Sequence, residues 1–260
     1  MPEKRLPRGR PVIFGEVLFD CFEDQGINVL GGAPFNVAWA LQGFGLEPVL
    51  ISRIGDDEQG RQVLQAMAEW GMSTTGVQID PRHPTGEVRI TLEGGQPTFS
   101  ILSNRAYDFI DESEALKAIP ERPALLYHGS LAARRNISAA TLGRLREHVA
   151  APVFVDVNLR APWWDKAALT EHLTGCRWIK LNDEEVAELA AYPILEDHEL
   201  QEGADALRLE FGIETMIVTL GEKGAFILDR DGVWRGSPPP TTGLADTVGA
   251  GDAFSAVYIL

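Results

Sequence analysis

Residues Ala245 to Leu260 read ADTVGAGDAFSAVYIL. Three small residues, Gly249, Ala250 and Gly251, come directly before Asp252, and an apolar run with helical spacing follows. Small residues let the backbone turn tightly and bring its N–H groups close to a ligand. A helix that begins there adds N–H donors and the positive end of its dipole, so the segment suits an anion.

Asp252 lies in the first turn of this predicted helix, where its carboxylate would repel a phosphate group. A carboxylate beside an anion-binding turn is better explained as a base that takes a proton from an attacking hydroxyl. The two features together indicate phosphoryl transfer. A simple turn followed by a helix N-cap is the alternative explanation of the same residues.

The composition favours one large α/β domain with an ample core. The chain has 260 residues, of which 45% are hydrophobic, a composition typical of globular proteins. Acidic residues outnumber basic ones by 38 to 23, for a formal charge of −15, which disfavours nucleic acid or an anionic membrane surface as a partner. The sequence has no run long enough to span a membrane and no recognisable signal peptide, so we expect a cytoplasmic protein.

Apolar strands that alternate with amphipathic helices predict a mostly parallel sheet covered by helices on both faces. The apolar runs within residues 11–22 predict one buried strand that ends at Asp20, and a helix is predicted after Pro34. Further strands are predicted at residues 48–52, 125–128, 153–157, 178–181 and 216–220, and further helices at residues 138–149, 166–173, 183–191 and 199–211.

A different pattern interrupts this alternation. Residues 86–92 alternate apolar and polar side chains, which predicts a strand with one wet face. Residues 93–96 then indicate a hairpin turn, and residues 98–102 a returning strand. With residues 26–30, the segment 76–102 is predicted to form a small accessory β flap over the edge of the main sheet. Its apolar face would allow a homodimer.

Several polar residues follow predicted strands, and ligands in open α/β sheets bind beyond the carboxyl ends of the strands. Each of these residues alone has an ordinary explanation, such as a helix cap for Asn182 or a surface cation for Arg160. Their shared position at one rim favours a binding site. The residues concerned are Asp20, Asn158, Arg160, Asn182, Glu185, Thr219 and Gly221.

Residues 246–254, DTVGAGDAF, resemble the C-terminal signature of the ribokinase-type (PfkB) carbohydrate kinases. In that family the small-residue amides form an anion hole and the final acid is the catalytic base, which implies this role for Asp252. Residues 31–38, GGAPFNVA, are similar to the family's N-terminal signature in its fructokinase form, which implies that Gly31, Gly32 and Asn36 contact sugar hydroxyls. Asp20 matches the family's sugar-binding acid.

Three later segments resemble segments that bind the nucleotide in this family. DVNLR at residues 156–160 is similar to a segment of fructokinases and ketodeoxygluconate kinases, in which Arg160 would clamp phosphate oxygens. NDEE at residues 182–185 matches an Asn-x-x-Glu motif, in which Glu185 would hold Mg²⁺ through water. VTLGEKG at residues 218–224 resembles the nucleotide-binding loop. The residues implied to bind the nucleotide are Asn158, Asn182, Glu185, Thr219, Gly221 and Gly224.

These features predict a ribokinase-like sugar kinase that uses ATP and Mg²⁺ to phosphorylate a primary hydroxyl, with fructose the favoured acceptor. Arg105 and Tyr107 follow the flap and are either substrate contacts or flap packing. A ketodeoxygluconate kinase is the nearest alternative, because a carboxylate acceptor would need one of these two residues. The family continues beyond the helix that Asp252 opens, whereas this sequence ends at Leu260, so a sugar- or nucleotide-binding protein without turnover is the second class considered.

Overall fold

The computed structural model describes residues 9–93, 96–190, 196–239 and 248–260. The predicted turn at Gly94 and Gly95, the end of a predicted helix at Ala191 and the signature residues 245–247 lie outside these ranges. The chain divides into two compact units. Unit 1 consists of Met1–Tyr127, Ala132–Ala151 and Asp252–Leu260, and unit 2 consists of His128–Leu131 and Pro152–Gly251.

Among the described residues, unit 1 contains two sheets and four complete α-helices. Its strands are β1 (Arg10–Phe14), β2 (Leu18–Phe22), β3 (Ile27–Gly31), β4 (Val49–Gly55), β5 (Val77–Asp80), β6 (Gly86–Glu93), β7 (Gln96–Ile101) and β8 (Pro123–His128, whose last residue is in unit 2). Its helices are α1 (Ala33–Gly43), α2 (Glu58–Glu69), α3 (Glu112–Ala118) and α4 (Asn136–His148).

The two sheets of unit 1 correct the prediction of one buried strand within residues 11–22. Strand β1 belongs to the order β8-β1-β4-β5, in which β1 and β5 both run parallel to β4, whereas β2 belongs to the flap sheet β3-β2-β6-β7. The chain leaves the first sheet at Gly15. A Cβ at this position would lie 2.2 Å from Pro34 Cγ, so the close approach of α1 requires glycine there.

The flap also differs from its predicted extent. The structure places β5 outside the flap, because β5 pairs with β4 from Ser52↔Val77 onwards. Strand β2 takes its place, antiparallel to β3 and parallel to β6. The register aligns Asp20 with Val29 on one side and with Val88 on the other. Because cross-strand partners share a face of a sheet, Asp20 lies on the apolar face of the flap.

Unit 2 confirms the predicted alternation of strands and helices. Strands β9, β10 and β11 are parallel, and β12 and β13 add an antiparallel hairpin in the order β13-β12-β11-β10-β9. The elements are β9 (Val153–Asp156), α5 (Lys166–Leu173), β10 (Trp178–Asn182), α6 (Asp183–Ala190), α7 (Asp197–Glu210), β11 (Thr215–Thr219), β12 (Ala225–Asp229) and β13 (Gly232–Gly236). A further helix, α8 (Ala250–Ile259), follows in the chain, and its residues from Asp252 onwards belong to unit 1.

The helices of unit 2 pack on its strands through an apolar cluster. Ile179 and Leu181 of β10 and Val218 of β11 contribute from the sheet, and Val186 of α6 and Leu207 of α7 from the helices. All five side chains are buried. This packing holds the carboxyl ends of β10 and β11 in place, where the predicted nucleotide residues begin. Among the described residues, no helix combines the length and the apolar character needed to cross a bilayer.

Candidate active site

Asp252 and Asn36 are 216 residues apart in the sequence and in direct contact in unit 1. Asn36 Nδ2 donates a hydrogen bond of 2.8 Å to Asp252 Oδ2. Asp252 lies in the first turn of α8, and Asn36 lies near the start of α1. A hydrogen bond of this length to a carboxylate is charge-assisted and fixes the direction of the acceptor. The contact therefore joins the N-terminal and C-terminal motifs that the sequence singled out.

The two glycines before α1 shape the backbone beside these side chains. Gly32 has a φ of 109°, and a Cβ at this position would lie 2.7 Å from the carbonyl oxygen of Glu16. Its own carbonyl accepts the backbone N–H of Asn36 at 2.8 Å. A Cβ at Gly31 would lie 3.5 Å from Asp20 Oδ2. The structure thus brings Asp20 next to Gly31, and it places Asn36 on the turn that Gly32 makes possible.

The two residues after the flap have different environments. Arg105 is largely buried, and its Nη2 lies 3.5 Å from Glu87 Oε2 on β6. Tyr107 is fully buried, and the guanidinium carbon of Arg134 lies 5.0 Å from the centre of its ring. Burial raises the pKa of the Tyr107 hydroxyl. A fully buried neutral phenol belongs to the core, so the structure favours flap packing for Tyr107, whereas Arg105 lies against Glu87 of the flap.

The turn that is predicted to bind an anion belongs to unit 2 up to Gly251. Gly249 has a φ of 76°, and α8 begins at Ala250. The N–H groups in the first turn of a helix have no acceptor within that helix. A Cβ at Gly251 would lie 3.4 Å from Lys180 Nζ, so an ammonium group stands next to this backbone. Lys180 was not among the predicted site residues; its signal in the sequence is a charged residue within an otherwise apolar strand.

The Asn-x-x-Glu motif forms a reciprocal cap at the start of α6. The side chain of Asn182 accepts the backbone N–H of Glu185 at 2.7 Å, and Glu185 Oε2 accepts the backbone N–H of Asn182 at 2.9 Å. Glu185 Oε1 accepts the backbone N–H of Leu159 at 2.7 Å. The reciprocal pair has the pattern of a capping box, and the third hydrogen bond ties the segment after β9 to the start of α6.

Burial raises the pKa of the Glu185 carboxyl, and the two backbone hydrogen bonds offset part of this effect. Each carboxylate oxygen still has a second lone pair. Mg²⁺ keeps several of its waters and is bound through one or two carboxylates together with substrate phosphates. Within the described ranges, no group of three or more His, Cys, Asp or Glu side chains could hold a metal alone. The donor set fits a metal held mainly by phosphates, with Glu185 reached through water.

The remaining predicted nucleotide residues lie at the carboxyl ends of the unit 2 strands. Asn158 follows β9 with a φ of 46°, and Arg160 is exposed two residues later. Thr219 ends β11, and its hydroxyl donates to the carbonyl oxygen of Leu181 at 3.3 Å. Both strands are parallel to β10, so these ends lie at the same edge of the unit 2 sheet.

Gly221 and Gly224 bound a short 3₁₀ turn at residues Gly221–Lys223. Both have positive φ, 57° and 100°. A Cβ at Gly224 would lie only 2.0 Å from the carbonyl oxygen of Gly236 on β13. Gly224 is thus required by the close approach of the hairpin, whereas nothing crowds Gly221, whose backbone remains approachable.

The α/β fold, the carboxylate oriented by an amide and the glycine-rich turn define a phosphotransferase that acts on small molecules. The model of the pfkB family of carbohydrate kinases matches residues 23–260, and the chain belongs to this family. The predicted ribokinase-like fold and the predicted carbohydrate kinase activity are thereby confirmed.

Three similar proteins are also sugar kinases. Fructokinase-2 of Oryza sativa subsp. japonica is 29% identical over 94% of this chain and 76% of its own length. A fructokinase from Vibrio cholerae O395, solved with fructose, ADP and calcium, is 26% identical with a TM-score of 0.80 and covers 95% of this chain and 82% of its own. A sugar kinase from Pyrococcus horikoshii, solved with ATP, is 25% identical with a TM-score of 0.78 and covers 94% of this chain and 82% of its own.

Proposed function

We propose that the protein transfers the γ-phosphoryl group of ATP to a primary hydroxyl of a monosaccharide, and that fructose is the acceptor. The hydrogen bond between Asn36 and Asp252 carries this proposal, because it presents a carboxylate of fixed direction beside the glycine turn of α1. The fructokinase relatives, one of them solved with fructose and ADP, support the choice of acceptor and of nucleotide.

The proposed roles divide between a proton acceptor and charge stabilisation. Asp252 takes the proton of the sugar hydroxyl as its oxygen attacks the γ-phosphorus. The amides of Gly249, Ala250 and Gly251 bind the oxygens of the transferred group, and the Arg160 guanidinium neutralises phosphate charge. Mg²⁺ held by the phosphates, with Glu185 in contact through water, would withdraw charge from the same oxygens.

The environment of Arg105 favours fructose over ketodeoxygluconate. A carboxylate acceptor would need a cation near the flap, and Arg105 was the candidate. Its guanidinium already faces the Glu87 carboxylate at 3.5 Å, and this acid would repel a second carboxylate. Fructose carries no charge and needs hydroxyl partners instead, which Asp20 and Asn36 provide.

A coupled assay for ADP release tests the proposal with fructose, ketodeoxygluconate and ribose as acceptors. We expect the highest kcat/KM with fructose, and a preference for either other sugar would contradict the choice of acceptor. The Asp252→Asn variant should lose about 10²–10⁴-fold in kcat while its affinity for sugar is kept. If the unaltered chain binds sugar and is no faster than this variant, the protein is a binding protein instead.

We also propose that the flap mediates a homodimer. Ile27 and Val29 on β3 and Phe99 on β7 are large apolar side chains that remain 48%, 47% and 63% exposed. The register places all three on the same face of the flap. Sedimentation of the wild-type protein and of an Ile27→Glu variant tests this assignment. A monomeric wild type would refute it.

A further inference from the structure

Lys180 is a buried cation that the predicted site does not include. It lies in the middle of β10, and its side chain is 8% exposed. Its neighbours Ile179 and Leu181 pack into the apolar cluster of unit 2, so the pleat turns Lys180 to the opposite face of the strand. Lysine is rarely buried to this extent unless it is paired.

The partner of Lys180 is Asp156 at the end of β9. The distance from Nζ to Oδ1 is 2.8 Å, and the Asp156 side chain is 2% exposed. A buried ion pair is weak evidence for a stabilising role, because the cost of removing both charges from water is comparable to their attraction. The pair therefore calls for a reason other than stability.

The second neighbour of Lys180 supplies this reason. A Cβ at Gly251 would lie 3.4 Å from Nζ and 3.9 Å from Cε. The tip of the lysine thus reaches the turn whose amides are proposed to bind the transferred phosphoryl group. An ammonium group has three N–H donors, and one of them points to Asp156, which leaves donors for a phosphoryl oxygen.

We propose that Lys180 is a further catalytic residue, whose ammonium group contacts the γ-phosphoryl group at Gly251, and that Asp156 is the positioning residue that holds it there. This rests on the proposed phosphoryl transfer. In that step a bond forms between the sugar oxygen and the γ-phosphorus, and the bond from this phosphorus to the β,γ-bridging oxygen breaks. The sugar proton goes to Asp252, and the bond electrons leave with ADP. Lys180 exchanges no proton; it stabilises the charge on the oxygens of the group in transfer.

The ammonium group of Lys180 should affect the binding of ATP and of ADP differently. ADP lacks the γ-phosphoryl group, so the loss of the ammonium should weaken binding of the non-hydrolysable analogue AMP-PNP about tenfold or more and leave ADP within about twofold. In turnover the loss should exceed the binding effect. The removal of one donor from an oxyanion hole lowers kcat by about 10²–10³-fold, and we expect Lys180→Met to fall in this range.

Two variants separate catalysis from folding. Lys180→Met alone leaves the Asp156 carboxylate buried without its cation, which should lower the melting temperature. The double variant Lys180→Met with Asp156→Asn removes both charges and should regain most of that stability. Lys117→Met, at an exposed position on α3, is the matched control and should resemble the wild type in both measurements.

The double variant decides the question by kcat, by calorimetric titration with AMP-PNP and ADP, and by thermal unfolding. We expect it to be stable, to bind ADP normally and to remain about 10²-fold slow. If its kcat returns with its stability, the pair is structural and the proposal is wrong. An equal loss of affinity for both nucleotides would also overturn it. A wild type without sugar-dependent ADP release would instead refute the proposed function, so the two failures can be told apart.

Discussion

The contact between Asn36 and Asp252 makes the sharpest prediction about catalysis. Replacement of Asn36 by Ala removes the hydrogen bond of 2.8 Å to Asp252 Oδ2, which joins the two signature motifs of the sequence. The carboxylate then loses the donor that fixes its direction. Since a general base must point at the proton it accepts, the variant should lose turnover even though Asp252 itself is intact.

The size of the effect follows from the hydrogen bond and its exposure. A hydrogen bond to a charged group contributes about 1.5–3 kcal/mol. Both side chains are only half-buried, so water can replace part of the interaction and the lower end of this range applies. At about 1.4 kcal/mol per tenfold in rate, we expect kcat to fall roughly tenfold. The value of KM for the sugar should rise as well, because Asn36 is also a proposed sugar contact.

A double-mutant cycle separates these two roles. Asn36→Ala, Asp252→Asn and the double variant are compared by the initial rate of ADP release at saturating ATP over a range of fructose concentrations. Once Asp252 cannot accept a proton, its direction no longer matters. The double variant should therefore have the kcat of Asp252→Asn alone, whereas the rise in KM should persist. Asn28→Ala, at an exposed position aligned with Cys21 in the flap, is the control and should leave both constants unchanged.

Additive losses of kcat in the cycle would refute the reasoning, since they would mean that Asn36 acts on turnover independently of Asp252. An Asn36→Ala variant with unchanged kcat and a raised KM would refute it too. In that case Asn36 is a sugar contact alone, and the direction of the carboxylate is set by other groups.

Three further predictions concern stability, each measured by urea unfolding. Burial alone would raise the pKa of Asp57, but hydrogen bonds led by those from Thr85 hold the pKa below its usual value. The wild type should therefore lose stability relative to Asp57→Asn as the pH falls from about 3.9 through the lowered folded pKa. Parallel curves of unfolding free energy against pH for the two proteins would contradict this. Glu185→Gln keeps one acceptor for two backbone amides and should cost about 1–3 kcal/mol; a neutral result would show that the cap does not hold. Arg134→Met removes the guanidinium whose Nε lies 2.7 Å from Oδ1 of the fully buried Asp108. The variant should lose about 3–5 kcal/mol of unfolding free energy, and a loss below about 1 kcal/mol would argue against a buried charge pair.

Local signals in the sequence predicted most of the elements. Helix α5, for example, has the predicted bounds. The short helix α3 was missed although its N-cap, Asp111, is a recognisable signal. Its seven residues bury little apolar surface, so the periodicity that would support a helix is absent.

Pairing between distant segments could not be predicted. The apolar residues of β1 and β2 are alike in composition, and the strand pairing of the structure shows that the chain leaves one sheet for another near Gly15, which Pro34 crowds. The contact of Asn36 with Asp252 spans 216 residues, beyond any periodicity. The sequence identified both residues through the family signatures, and the structure adds that they touch.

Lys180 is a site residue of the proposed mechanism that neither local patterns nor the family signatures identified. A lysine between apolar residues is usually a solvated side chain at the edge of a strand, and the motif that follows it, Asn182 to Glu185, drew attention to α6 instead. The burial of Lys180 depends on two residues at other points of the chain, Asp156 and Gly251. No local pattern contains that information.

The motif residues divide into those that shape the backbone and those that offer a side chain to a ligand. Neighbouring backbone lies too close to Gly32 and Gly224 for either to carry a Cβ. Glu185 accepts a hydrogen bond from each of two backbone amides. Substitutions there should lower stability and activity together. The exposed side chain of Arg160 has no such structural duty in the proposed mechanism, so its loss should reduce turnover at unchanged melting temperature. Stability measured beside rate therefore distinguishes the chemistry of this site from the scaffold that presents it.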